Sequence, residues 1–143
     1  MSETSTVRRI DARSDVELRL PADGAYASVL RTLTAGLAAR LDFTMDDIED
    51  LRIAVSEATA MVLQEADPDT DLVCRFDLAP GELSLDCSTT STAPTPPDYD
   101  SFGWQVLTTL TTAASVDAKP GHYAVRLTLH SSLDPAALDG AGL

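Results

Sequence analysis

The sequence predicts a two-layer α/β sandwich, with three amphipathic helices covering one side of a mixed, mostly antiparallel sheet. Three observations carry that expectation. Short segments alternate apolar and polar residues, as strands with one buried face do, and longer segments repeat apolar residues at helical spacing. Turn signals at Pro21–Gly24, Asp67–Asp69, Ala79–Glu82 and Lys119–Gly121 separate them. The resulting order is β-α-α-β-β-loop-α-β-β. With 143 residues, 44% of them hydrophobic, the chain can bury the core such a domain needs.

Residues 1–14 read as a flexible arm, 15–131 as the domain and 132–143 as a flexible tail. Val16-Glu17-Leu18-Arg19-Leu20 alternates cleanly and is a half-buried strand, stopped by Pro21. Tyr26, Val29, Leu30, Leu33, Leu37 and Leu41 then follow helical spacing, predicting a helix from about Ala25 to Leu41 that projects Arg31 and Arg40.

Leu41 to Ala66 forms the central helix, after a short link at Asp42-Phe43. Thr44 stands at its N-cap and Asp47 three residues on, an aspartate version of the capping box. Asp46, Asp47, Glu49 and Asp50 crowd the first turns, where the helix dipole favours negative charge. Ile48, Leu51, Val55, Ala58 and Val62 make the buried stripe, and a second face carries Ala54, Glu57, Met61 and Glu65.

A hairpin follows, turning at Ala79-Pro80-Gly81-Glu82. Pairing Leu78 with Leu83 sets Phe76 against Leu85 and Cys74 against Cys87, all on the core face. Thr89 to Asp100, with three prolines and many hydroxyls, is a loop. Loops of this length without structure of their own are often functional, the alternative being a surface connection. Helical periodicity resumes over Ser101–Ser115, where threonines weaken the C-terminal end. Val116–Ala118 is a short strand, and Tyr123–Leu129 is the last.

The net charge of −13 repels polyanions, so neither nucleic acid nor an anionic membrane is an expected partner. It suits a basic protein partner, or solubility alone. No run approaches the roughly 18 apolar residues of a membrane helix. The N-terminal stretch lacks the apolar region of a signal peptide, and a cytoplasmic location is expected.

Glu57, the one acid in the apolar run AVSEATAMV, could serve as a general base or a metal-facing carboxylate, or simply face solvent or pair with an arginine. His122 and His130 have no spacing to a nucleophile or ligand, and there is no glycine-rich phosphate loop. Cys74 and Cys87, the only cysteines, are too few for a zinc site. As cross-strand neighbours they come within disulfide reach, or are two small buried residues in a reducing compartment.

The first strand, Arg31, DFTMDDIEDLRIAVSEA and SFGWQVLTTLTTAASVD together resemble the RsbW/SpoIIAB-type anti-sigma factors, serine-protein kinases on the GHKL (histidine-kinase-like) ATPase fold. The likeness runs over roughly residues 16 to 130 and is strongest in the central helix. It points to the divergent actinobacterial, UsfX-like branch, which shares the SFxWxVLT segment.

The resemblance implies a Glu-Ala-x-x-Asn motif in the central helix, whose Glu assists phosphoryl transfer and whose Asn holds Mg²⁺ on ATP. Glu57-Ala58 match, but Met61 stands at the asparagine, and a thioether is no useful ligand for a hard cation. The family's adenine-binding Asp falls on Cys87, with Asp86 adjacent but on the opposite strand face and no glycine following. Of the Gly-x-Gly that opens the third helix, only Gly103 remains, and Thr89–Asp100 lies where the family has its ATP lid. Loss of the Mg²⁺ ligand and the adenine Asp together implies that no cofactor binds strongly; ATP and Mg²⁺ belong to the site only if the family's kinase activity survives.

Arg31 falls on the first-helix arginine that contacts both partners in the family, a sigma factor and a STAS-type anti-anti-sigma factor. The first strand and helix resemble its dimerisation region, which implies a homodimer. Three functions follow from the resemblance: an anti-sigma factor with a degenerate nucleotide site, an active kinase using Glu57, or a pseudo-ATPase scaffold in another switch.

Overall fold

The computed structural model describes residues 14–133. The arm and tail expected at the two ends lie outside the described residues, apart from Ser14, Ser132 and Leu133. The elements are β1 (Val16–Pro21), α1 (Ala27–Arg40), α2 (Met45–Glu65), β2 (Asp71–Ala79), β3 (Glu82–Thr89), α3 (Phe102–Leu110), β4 (Ala113–Lys119) and β5 (His122–His130), with a 3₁₀ turn at Gly24–Tyr26 before α1.

The five strands form one sheet in the order β1-β2-β3-β5-β4, and every pairing is antiparallel. A mixed sheet is therefore not what forms: no parallel pair occurs among the described residues, because each strand meets its neighbour by reversal. The hairpin register is the predicted one, with Leu78 opposite Leu83, Phe76 opposite Leu85 and Cys74 opposite Cys87. Pro21 does not stop β1 but ends it from within; β1 is an edge strand, where a missing N–H can be tolerated.

The first helix starts later than the periodicity suggests. Asp23 caps only the 3₁₀ turn, accepting from Ala25 N, and Tyr26 and Val29 remain exposed while Leu30 and Leu37 are buried. Its end is a Schellman arrangement: Asp42 N donates to Ala39 O at 3.2 Å and Phe43 N to Ala38 O at 3.1 Å. Asp42 supplies the left-handed residue at φ 63°, a conformation aspartate tolerates better than most residues.

The capping box of α2 forms as its sequence predicts. Thr44 Oγ1 accepts from Asp47 N at 3.1 Å, and the Asp47 carboxylate accepts from Thr44 N at 3.2 Å. The same carboxylate takes the backbone N–H and the hydroxyl of Ser132, each at 3.0 Å, so it also fastens the residues after β5. Burial alone would raise its pKa; the hydrogen bonds from Ser132 and Thr44 outweigh that and lower it.

The third helix is shorter than its periodicity suggests. Residues 113–115 belong to β4 instead, where they alternate exposed and half-buried with the rest of the strand. Pairing with β5 decides this, Ala113 to Ser115 lying opposite Thr128 to Arg126, while the helix closes at Thr111, whose Oγ1 bonds back to Leu107 O at 2.6 Å. Phe102, which helical spacing assigns to the buried side, stands 79% exposed at the first position of this short helix.

The core lies between the sheet and the helices, around the fully buried Phe76, Leu30, Leu51, Leu85, Leu107 and Val125. Each such side chain contributes about 1.5–3 kcal/mol by leaving water. The other sheet face is polar. Arg19 and Arg75 pair there with Glu17, Arg19 with Asp71, and Arg126 with Asp86. Among the described residues, no helix is long and apolar enough to cross a membrane.

Candidate functional site

The positions that the resemblance expects to carry nucleotide lie on one face of α2, in β3 and at the start of α3. Glu57 is half-buried and reaches the amino end of α3: a Cβ built on Gly103 would stand 2.7 Å from Glu57 Oε1. The two residues expected to match the family pattern thus lie together, with Gly103 providing the space the carboxylate occupies. One turn further along, Met61 packs against the core. The next position, Glu65, accepts a hydrogen bond from Thr95 N at 2.8 Å.

Cys87 is fully buried, its Sγ 3.9 Å from that of Cys74, and both are thiols. The hydrogen bond with Cys74, followed by burial, pushes the Cys87 thiol well above its ordinary pKa, so it stays protonated. Asp86 does not join this group. It points to the open face of the sheet and pairs with Arg126 at 3.1 Å.

The loop after β3 is tied down along its length. Asp67 N donates to Thr90 O at 2.9 Å, and the Asp67 carboxylate accepts from Thr92 N at 3.1 Å and Thr92 Oγ1 at 2.6 Å. Gly121 N donates to Ser91 O at 2.7 Å, and Ser91 is buried. Tyr99 meets Trp104 edge-on, ring centres 5.1 Å apart. The loop is thereby seated on the carboxyl end of α2. These tethers escape sequence reasoning, which reads Asp67-Pro68-Asp69 only as a turn; an acid at a helix end followed by a hydroxyl-rich loop is the one weak signal for them.

At the position where the resemblance expects the cation's ligand stands a thioether packed on the core, at the expected adenine contact a buried thiol engaged with another thiol, and the Glu57 carboxylate lies against Gly103. No group of three or more His, Cys, Asp or Glu among the described residues is placed to hold a metal ion. Arg31 lies on α1, half-buried, and makes no ion pair among the described residues.

No protein-family model matches the chain. It is 45% identical over 51 residues to the serine-protein kinase RsbW of Bacillus velezensis, a match covering 36% of this chain and 32% of that protein. The serine-protein kinase RsbW of Bacillus thuringiensis is 43% identical over the same length. The alignment thus spans about a third of these curated relatives. Among solved structures, that of the RsbU and RsbW domains of Rv1364c from Mycobacterium tuberculosis superposes with a TM-score of 0.64 at 19% identity, covering 81% of this chain and 32% of that one. The chain is thus similar to the serine-protein kinase RsbW over 51 residues, and over 81% of its length it shares its α/β fold with a solved structure that includes an RsbW domain.

Proposed function

We propose that the chain is a cytoplasmic anti-sigma factor. It sequesters an alternative, stress-type sigma factor and is released by a STAS-type anti-anti-sigma antagonist, with a nucleotide site that no longer operates. The observation that carries this reading is the engagement of the family's nucleotide positions with the protein's own residues, Met61 on the core foremost. Arg31, on a helix separate from those positions, is the proposed partner contact, and the chain acts as a homodimer. The acidic protein suits the basic surfaces that sigma factors present.

Two measurements test it. Calorimetric titration with Mg-ATP is expected to show no tight binding; a micromolar dissociation constant would overturn the degenerate-site reading. Capture from native cell extract is expected to retain a sigma factor with the wild-type chain and to lose it with Arg31→Glu; equal retention by both would remove Arg31 from the partner surface.

The persistence of Glu57-Ala58, with the carboxylate beside Gly103, favours one second reading, an active serine kinase acting on the antagonist. In that case Glu57→Ala abolishes phosphate transfer from ATP to the antagonist while sparing sigma binding.

A further inference from the structure

A groove of about 330 Å³ runs between α2 and α3, lined by Ile53, Phe102, Gln105, Val106, Thr109 and Leu110. Phe102 is 79% and Ile53 42% exposed, so a contiguous apolar surface faces water, as surfaces that meet a partner do. The groove belongs to the α2–α3 pair, whereas Arg31 belongs to α1, which packs against α2 independently.

The charge around the groove is one-sided. Asp46, Glu49 and Asp50 precede Ile53 by seven, four and three residues, and Glu57 follows it by four, so all four share its face of α2. Asp100 stands just before α3, and α3 itself contributes no charged residue. Arg52, the nearest base in sequence, projects roughly 100° away around the helix.

We propose that this groove docks a basic amphipathic helix of a partner protein. The partner's apolar residues, at positions i, i+3 or i+4 and i+7, would enter between α2 and α3, with its lysines and arginines meeting the acidic stripe of α2. The nine residues of α3 span about 13 Å, room for two to three turns of such a helix. A second copy of this chain is the wrong occupant, because it would set the same acidic stripe against itself in a protein of net charge −13. The surface does not depend on the reading of Arg31, and the two can fail separately.

The probe is a fluorescent Leu/Lys peptide of about four helical turns with its leucines on one face, compared with a scrambled peptide of the same composition. Anisotropy titration is expected to give saturable binding to the wild-type chain. It should be at least about tenfold weaker for the scrambled peptide and for the double variant Ile53→Gln/Phe102→Gln. Amide shifts in the wild-type chain on adding the peptide should centre on Ile53 and Val106, a readout independent of how the variant folds. Equal binding by the scrambled peptide or by the double variant, or shifts centred on other elements, would overturn the proposal. So would self-association of the wild-type chain that Phe102→Gln abolishes, which would give the groove to a second copy.

Discussion

Glu57 and Gly103 occupy the same few ångströms, and the chain uses each for the other. Glycine at the second position of α3 forgoes about 0.5–1 kcal/mol of helix preference relative to alanine. The atom an alanine methyl would meet, 2.7 Å away, is the far end of a flexible carboxylate side chain, which can swing aside. Gly103→Ala is therefore expected to leave stability in urea within about 1 kcal/mol of wild type. In a Glu57→Ala background the same substitution should gain about the full helix preference. A loss above about 2 kcal/mol in the single variant would mean that the carboxylate is fixed in place and that the contact is rigid. At this scale the sequence was informative where partners are close neighbours. Thr44 and Asp47 could be read as a reciprocal cap because they lie three residues apart, but Asp47's second bond, to Ser132, joins residues 85 positions apart and leaves no local pattern.

Among the elements, the loop after β3 differs most from its expectation. Its prolines and hydroxyls predict irregular backbone, and irregular backbone is what forms, but it is fastened by the carboxylates of Glu65, the last residue of α2, and of Asp67 just beyond it. The hydroxyl of Thr92 first, and its backbone N–H second, hold the Asp67 carboxyl below its ordinary value of 3.8. A carboxyl whose folded pKa is depressed supports the folded arrangement above its unfolded pKa and loses that support as pH falls through the folded value. The tether thus persists at neutral and mildly acidic pH and is released only below about 3.8. Asp67→Ala should remove it at every pH. The expected outcome is faster amide exchange at Thr92 in the variant at neutral pH, with helix and sheet amides unchanged; identical exchange in variant and wild type would mean that the bond does not restrain the loop. The hairpin register was legible because alternation has a period of two and one face must be buried. The end of α3 was not, because Ala113, Ala114 and Ser115 suit the close of a helix as well as the start of a strand, and pairing with β5 decided it.

For the molecule as a whole, the layering and the β2–β3 hairpin were readable and the places of β1, β4 and β5 in the sheet were not, since apolar spacing says which residues face inward but not which distant strands become neighbours. The observed order has a consequence for how the chain assembles. β2–β3 and β4–β5 each close over a Pro-Gly pair, Pro80-Gly81 and Pro120-Gly121, with the glycines at φ 72° and 91°. Such clasps form with little loss of chain entropy, whereas β1 must find β2 across both long helices, Val16 meeting Phe76. Leu83→Ala in the first clasp is expected to slow refolding in stopped-flow measurements, and Leu18→Ala in β1 chiefly to speed unfolding; comparable slowing of refolding by both would reverse that order. On that order β1 joins the sheet only after β2 and β3 have closed on each other, so during synthesis it waits, with both long helices already made, for a neighbour some sixty residues behind it.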